Sequence, residues 1–87
     1  MIRIKLSRIL GDRRITQTEF AKRTGIRRAT INLWYNEMLD RITLEHLDRI
    51  CEALDCAPGD ILEFDPNEIK KTGNNPLLEE HGNRKKT

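Results

Sequence analysis

Cysteine is scarce in this chain: Cys51 and Cys56 are all that its 87 residues contain, with no CxxC and no histidine at a metal-site spacing from them. That pattern offers no metal site, and a bridge between the two is open only to an exported domain. It leaves two reduced thiols in a cytoplasmic protein, with Cys51 expected as a small buried hydrophobe. Long apolar runs are missing too. Nothing approaches the roughly 20 residues that span a bilayer, and the opening MIRIKLSRIL lacks the apolar core and cleavage site of an export signal. A cytoplasmic protein without membrane contact is the expectation. Catalytic constellations are also lacking. His46 lies among acidic neighbours, His81 lies near the C-terminus, and neither has a serine or cysteine partner. Glu45 and Asp48 share a helical face with nothing apolar around them to raise a carboxylate pKa. No glycine-rich phosphate loop, metal-ligand cluster or internal repeat is present, so neither an enzyme nor a cofactor is expected.

What the chain does have is charge, and the charge is sorted. The net value of +2 conceals nine Lys/Arg against two Asp/Glu in residues 1–36, and two against nine in residues 37–66. Residues 67–87 carry five against three. One half of a small domain is therefore basic and the other acidic, which gives its field a direction. Either the two blocks simply attract one another, or a polyanion docks on the basic half. At this length a fold buries only about 60% of the unfolded surface, so the core must be compact and the stability marginal without a partner.

Hydrophobic spacing supplies the elements. Met1 to Ile4 is either a short extended piece or the frayed start of a helix. Leu6, Ile9 and Leu10 predict a first helix over residues 5–13. Gly11 costs that helix about 1 kcal/mol relative to alanine and either marks close packing or is merely tolerated. Ile15 is expected to be buried in the connector. Thr16 and Glu19 match a capping box at the start of a second helix, residues 17–24, which buries Phe20 and Ala21 and ends at Gly25. Ile26 points inward, and Ile31 and Trp34 mark a third helix over residues 28–35. The loop from Asn36 to Ile42 has Met38 and Leu39 as anchors. Thr43 then caps a fourth helix with an inward stripe of Leu44, Leu47, Ile50, Cys51 and Leu54, while Glu45, Asp48, Arg49 and Glu52 face water. Pro58 and Asp60 open a short fifth helix ending near Leu62. Phe64 and Asp65-Pro66 close a domain of residues 1–66. Residues 67–87 read as a polar, mobile extension, in which Leu77 to His81 could dock as a helix.

The stretch of residues 16–36 is thus helix, glycine turn, helix, with basic and polar side chains outermost: a helix-turn-helix spanning about residues 17–36. If Ile31 and Trp34 are buried, Arg27, Arg28, Ala29, Asn32 and Leu33 face solvent, or a major groove that admits one helix. Arg28 suits guanine O6/N7, Asn32 a base edge or phosphate, and Ala29 and Leu33 thymine methyls. Gln17 can approach a phosphate beside free backbone N–H groups. Thr18, Thr30, Tyr35, Asn36 and Arg41 are weaker phosphate candidates. Trp34 continues the Ile31 face, which makes it a core residue rather than a stacking platform. Each polar residue has a plain alternative as solvated surface.

At this point the sequence resembles the Cro/C1-type (Xre-like) helix-turn-helix family, most closely its small single-domain members. The resemblance covers about residues 1–65. It rests on Gln17 with Phe20-Ala21, Thr24-Gly25-Ile26, Ile31 with Trp34, and the ending LDRICEALDCAPGDILEF. It implies an all-α, five-helix, lambda-repressor-like domain that regulates transcription, usually as a two-fold dimer on operator DNA. Its groove-reading positions fall on Gln17, Arg28, Ala29, Asn32 and Leu33, and its phosphate contacts around Arg27, Thr30 and Asn36. Two departures stand out. Arg27 occupies the N-cap of the third helix, where Ser or Thr is common, at a cost of about 1 kcal/mol. The loop from Glu37 to Arg41 is more acidic than a phosphate-lining segment should be. The expected function is a sequence-specific double-stranded DNA-binding regulator, acting as a homodimeric repressor on a palindromic operator. The alternatives are an antitoxin whose C-terminal extension holds a toxin or other protein, and an adaptor that uses the fold without DNA.

Overall fold

The structure, a computed structural model, describes residues 1–73. In chain order it contains β1 (Ile2–Ile4), α1 (Leu6–Arg13), α2 (Gln17–Thr24), α3 (Arg28–Tyr35), α4 (Leu44–Leu54), α5 (Pro58–Ile61) and β2 (Leu62–Phe64). The five helices fall where the hydrophobic spacing puts them, and α2 and α3 match the expected bounds. The all-α description omits one feature. Met1 to Ile4 takes the extended alternative, and β1 pairs antiparallel with β2 in the register Ile2↔Phe64, Arg3↔Glu63 and Ile4↔Leu62. The pairing continues past both strands, through Asp65 N–H to Met1 O at 2.7 Å and Lys5 N–H to Ile61 O at 2.7 Å. The chain is thereby closed into a unit, its first residues tied to the end of α5. The segment around Leu77 to His81 lies outside the described residues.

One core serves all seven elements. Leu6, Leu10, Phe20, Ile31, Trp34, Ile50, Leu54 and Ile61 are fully buried, with Ile4 and Ile26 nearly so. Ile15 and Cys51, expected inside, are half-buried at its margin. Leu44 corrects the expected α4 stripe, because it is 82% exposed. At 3.6 residues per turn Leu44 lies about 120° around the helix from Ile50, beyond the edge of the face that Ile50 and Leu54 define. Met38 is likewise exposed, and Leu39 alone anchors its loop. Gly11 faces solvent with open space where a Cβ would sit, so close packing is not its reason.

Side chains close the helix ends. Thr16 Oγ1 accepts from Glu19 N–H at 3.0 Å, and Thr43 Oγ1 from His46 N–H at 3.1 Å. Only half of the expected capping box forms at α2: the Glu19 carboxylate accepts from Arg23 Nη2, one turn on, at 2.8 Å. Two arginines cap helices other than their own. Arg13 Nη1 donates to Leu54 O at the end of α4 (2.7 Å), and Arg49 Nη1 donates to Thr24 O at the end of α2 (3.1 Å). Arg49 is exposed, as expected, yet also reaches the end of α2 while its Nε donates to Glu45. Each contact places a cation against orphan carbonyls at the negative end of a helix dipole.

Glu37 locks the N-terminal strand to the end of α3. Its residue adopts φ 56°, and its carboxylate accepts from Arg3 Nε (2.8 Å), Arg3 Nη2 (3.0 Å) and Ile4 N–H (3.0 Å). The Arg3 hydrogen bonds, followed by the Ile4 N–H, hold the carboxyl at about 2, against an ordinary 4.5. Because the folded value is the lower one, the contribution is complete above the ordinary value and vanishes as pH falls through about 2. Thermal melts across that range should therefore show wild type losing stability on acidification. Glu37→Gln should melt lower at neutral pH and lose less between pH 4.5 and pH 2. Parallel acid profiles for the two proteins would contradict the lock.

Candidate nucleic-acid interface

The two helices of the motif are joined by a turn whose geometry is fixed by named groups. Gly25 takes φ 74° and donates its N–H to Ala21 O at 2.9 Å. Thr24, buried although polar, donates through Oγ1 to Phe20 O (3.0 Å) and accepts from Ile26 N–H (3.1 Å). One hydroxyl thus closes α2 and starts the path to α3. Ile26 drops into the core, and α3 begins two residues later with Ile31 and Trp34 facing inward. The opposite side of α3 is left to solvent.

That outward side carries Arg28, Ala29, Asn32, Leu33 and Asn36, all exposed. Leu33 is 37% exposed, a large apolar side chain with no core to enter. Gln17 joins them from the first turn of α2. Its Oε1 accepts from Asn32 Nδ2 at 3.1 Å, which ties the start of α2 to the middle of α3. This bond leaves Asn32 with one N–H and its Oδ1, and Gln17 with its own amide donors. Thr18 is exposed beside Gln17. The structure therefore brings Gln17, four α3 residues and the C-cap Asn36 onto one continuous face. Thr30 and Tyr35 sit differently: both are half-buried on the flanks of α3, and Tyr35 packs on the core. Asn36 donates from Nδ2 to Asn32 O at 3.1 Å, so part of its polar capacity closes the end of α3. Arg41 is exposed in the following loop, beyond α3.

The electrostatics of this face are simpler than the sequence suggests. Arg27 stands at the N-cap of α3 without a side-chain cap bond, and α3 has no acidic residue in its first turn. Arg27 and Arg28 are exposed and take part in none of the ion pairs among the described residues, which are Arg3–Glu37, Arg23–Glu19 and Arg49–Glu45. Two neighbouring guanidinium groups thus flank the positive end of a helix dipole with their donors uncommitted. Beyond the other end of α3, the first acid of the following loop, Glu37, is paired with Arg3. That removes much of the objection raised by the acidic loop. Arg13, Arg49 and Glu37 position the motif, and composition gives no signal of it. The partners Arg3 and Glu37 lie 34 residues apart, and Arg49 and Thr24 lie 25 apart.

Comparisons with known proteins agree with this geometry. The family of Cro/C1-type HTH DNA-binding domains matches residues 5–67. The chain is also 39% identical over 65 residues to the uncharacterized HTH-type transcriptional regulator YozG of Bacillus subtilis (strain 168), covering 75% of this chain and 77% of that protein. No helix among the described residues is long and apolar enough to cross a membrane.

The turn itself is testable. A Cβ at Gly25 would lie 2.9 Å from Arg49 Nη1, and the left-handed conformation penalises it independently. Gly25→Ala should lower stability by about 1–2 kcal/mol, read as a drop in Tm of about 4–8 °C per kcal/mol. Gly25→Asn should lose less, since asparagine tolerates this conformation. An unchanged Tm in Gly25→Ala would show that the turn does not hold its left-handed geometry.

Proposed function

The chain belongs to the Cro/C1-type helix-turn-helix DNA-binding family, and from that premise we propose that it is a sequence-specific repressor that reads a palindromic operator as a homodimer in the cytoplasm. The observation that carries the proposal is the single outward face formed by Gln17 and α3, with Arg27 and Arg28 uncommitted at its edge. In this reading α3 enters the major groove. Arg28 would donate two parallel hydrogen bonds to guanine O6 and N7. Asn32 retains one N–H and Oδ1, the pair that adenine N7 and N6 require, while Gln17 braces it from α2. Ala29 and Leu33 offer apolar contact to thymine methyls. Arg27, Thr18, Thr30, Tyr35 and Asn36 border the face, where phosphates run, and would set register without reading sequence.

The half-buried positions of Thr30 and Tyr35 on the flanks of α3 suit backbone contacts rather than base reading. A single α3 makes a small interface, so two copies on half-sites about one turn apart, ~34 Å, would supply the missing specificity. Two stretches with dimer potential, Ile2–Ile4 and the segment from Ile61 to Phe64, come together in one sheet. There the cross-strand neighbours Ile2 and Phe64 are 58% and 63% exposed. The DNA-reading unit in this proposal is residues 1–66, with residues 67–87 an extension to it. Repression would follow from occupancy of a promoter.

The test separates reading from mere attraction. Arg28→Ala should cost roughly 1–3 kcal/mol on the specific duplex and relax preference at one base position. Arg27→Ala should weaken specific and random duplexes alike and make binding less salt-dependent. Titrations of both variants on both duplexes at several salt concentrations check this. Equal losses on both duplexes for Arg28→Ala would assign Arg28 to phosphate, and the absence of any specific duplex would remove the function proposed.

A further inference from the structure

Cys51 and Cys56 are brought together by their backbone, although five residues of continuous helix would place them on different sides of α4. The helix ends between them. Asp55 adopts φ 53° and ψ 53°, the left-handed conformation. Cys56 N–H donates to Cys51 O at 3.0 Å and Asp55 N–H to Glu52 O at 3.3 Å, the paired bonds of a Schellman end. In that arrangement the residue after the left-handed one folds back over the last turn, and the two outer side chains of the motif touch. Those positions are usually apolar, and here both are cysteine. The 3.0 Å backbone bond makes the two residues neighbours across the helix end, and both are half-buried rather than sealed in the core.

We propose that Cys51 and Cys56 form a thiol–disulfide exchange site, which a small-molecule disulfide such as oxidised glutathione closes into an intramolecular bridge. The 6→1 hydrogen bond already draws together the two backbone segments that a disulfide must link. Burial first, then the neighbouring Cys56, and then Asp48 and Asp60, push the Cys51 thiol up. The first attack is assigned to Cys56, because the Cys51 thiol is held against ionisation. The Cys56 thiolate attacks one sulfur of the small disulfide, breaking its S–S bond and expelling one thiolate. Cys51 gives its proton to that leaving thiolate or to solvent and attacks Cys56 Sγ, expelling the second. The two protein thiols are oxidised, and one small disulfide is reduced to two thiols. Bridges of this sort in reducing compartments are transient and redox-sensing rather than structural. Closure would pin the final turn of α4 to the segment leading into Pro58 and α5, without touching α3.

The reduced full-length chain, incubated with oxidised glutathione, tests this by intact mass and by alkylation of free thiols. Wild type should lose about 2 Da, the two thiol hydrogens, and accept no alkylating label, without gaining mass as a dimer. Exchange of the Cys56 amide hydrogen should slow on oxidation. Cys51→Ser should stop at the mixed disulfide, retaining one glutathionyl group that wild type does not keep. Circular dichroism of Cys51→Ser and Cys56→Ser, expected to match wild type, keeps a folding defect distinct from a chemical one. Wild type that retains a glutathionyl group, forms disulfide-linked dimers or stays fully reduced would overturn the proposal.

Discussion

The left-handed turn at Gly25 is the constraint on which the reading face depends. It sets the angle between α2 and α3, and it is held by its two neighbours and by one residue of α4. Thr24 supplies a buried hydroxyl with two backbone partners, Ile26 supplies the anchor, and Arg49 reaches from α4 to cap the carbonyl of Thr24. Once that angle is fixed, the burial of Ile31 and Trp34 dictates which side chains α3 presents. The Gln17–Asn32 hydrogen bond then binds the two helices across the exposed side. The face is preorganised because its second layer is made of packed and hydrogen-bonded groups, which lowers the ordering cost of binding.

Charge in this domain divides by occupation more than by sign. The basic half of the sequence contains structural arginines: Arg3 is held by Glu37, Arg13 caps α4, and Arg23 pairs with Glu19. Arg27 and Arg28 are not so used. The same sorting applies to the acids, since Glu37 serves the β1 anchor. The +7 of residues 1–36 therefore overstates the charge free to meet a polyanion, but two of the unpaired cations, Arg27 and Arg28, lie at the N-terminus of α3. There the helix dipole adds to their charge.

How far the sequence was legible follows from the range of the interactions involved. Helices α2 and α3 came out at their observed bounds because a capping threonine, a glycine stop and a 3.6-residue apolar period are all local signals. The outward set of Arg28, Ala29, Asn32 and Leu33 followed from the buried set by geometry alone. The β1–β2 sheet was invisible, since three-residue strands about 60 residues apart carry no local pattern beyond alternation at Ile2 and Ile4. Leu44 departs from the apolar stripe of α4 because at the first helical residue the face has rotated away from the core. Glu37 read as an obstacle to phosphate, and only the long-range clamp from Arg3 shows why it is not one. The meeting of Cys51 and Cys56 required knowing that α4 ends between them at Asp55, an aspartate in a conformation usually signalled by glycine.

The central claim is that this face recognises a particular duplex sequence. Selection of bound duplexes from a random-sequence pool, using the full-length chain, measures it most directly. The account predicts enrichment of two inverted half-sites spaced by about one helical turn, ~34 Å, with guanine prominent at one position in each half. Recovery of a pool with no sequence preference, or of no duplex at all, would contradict it.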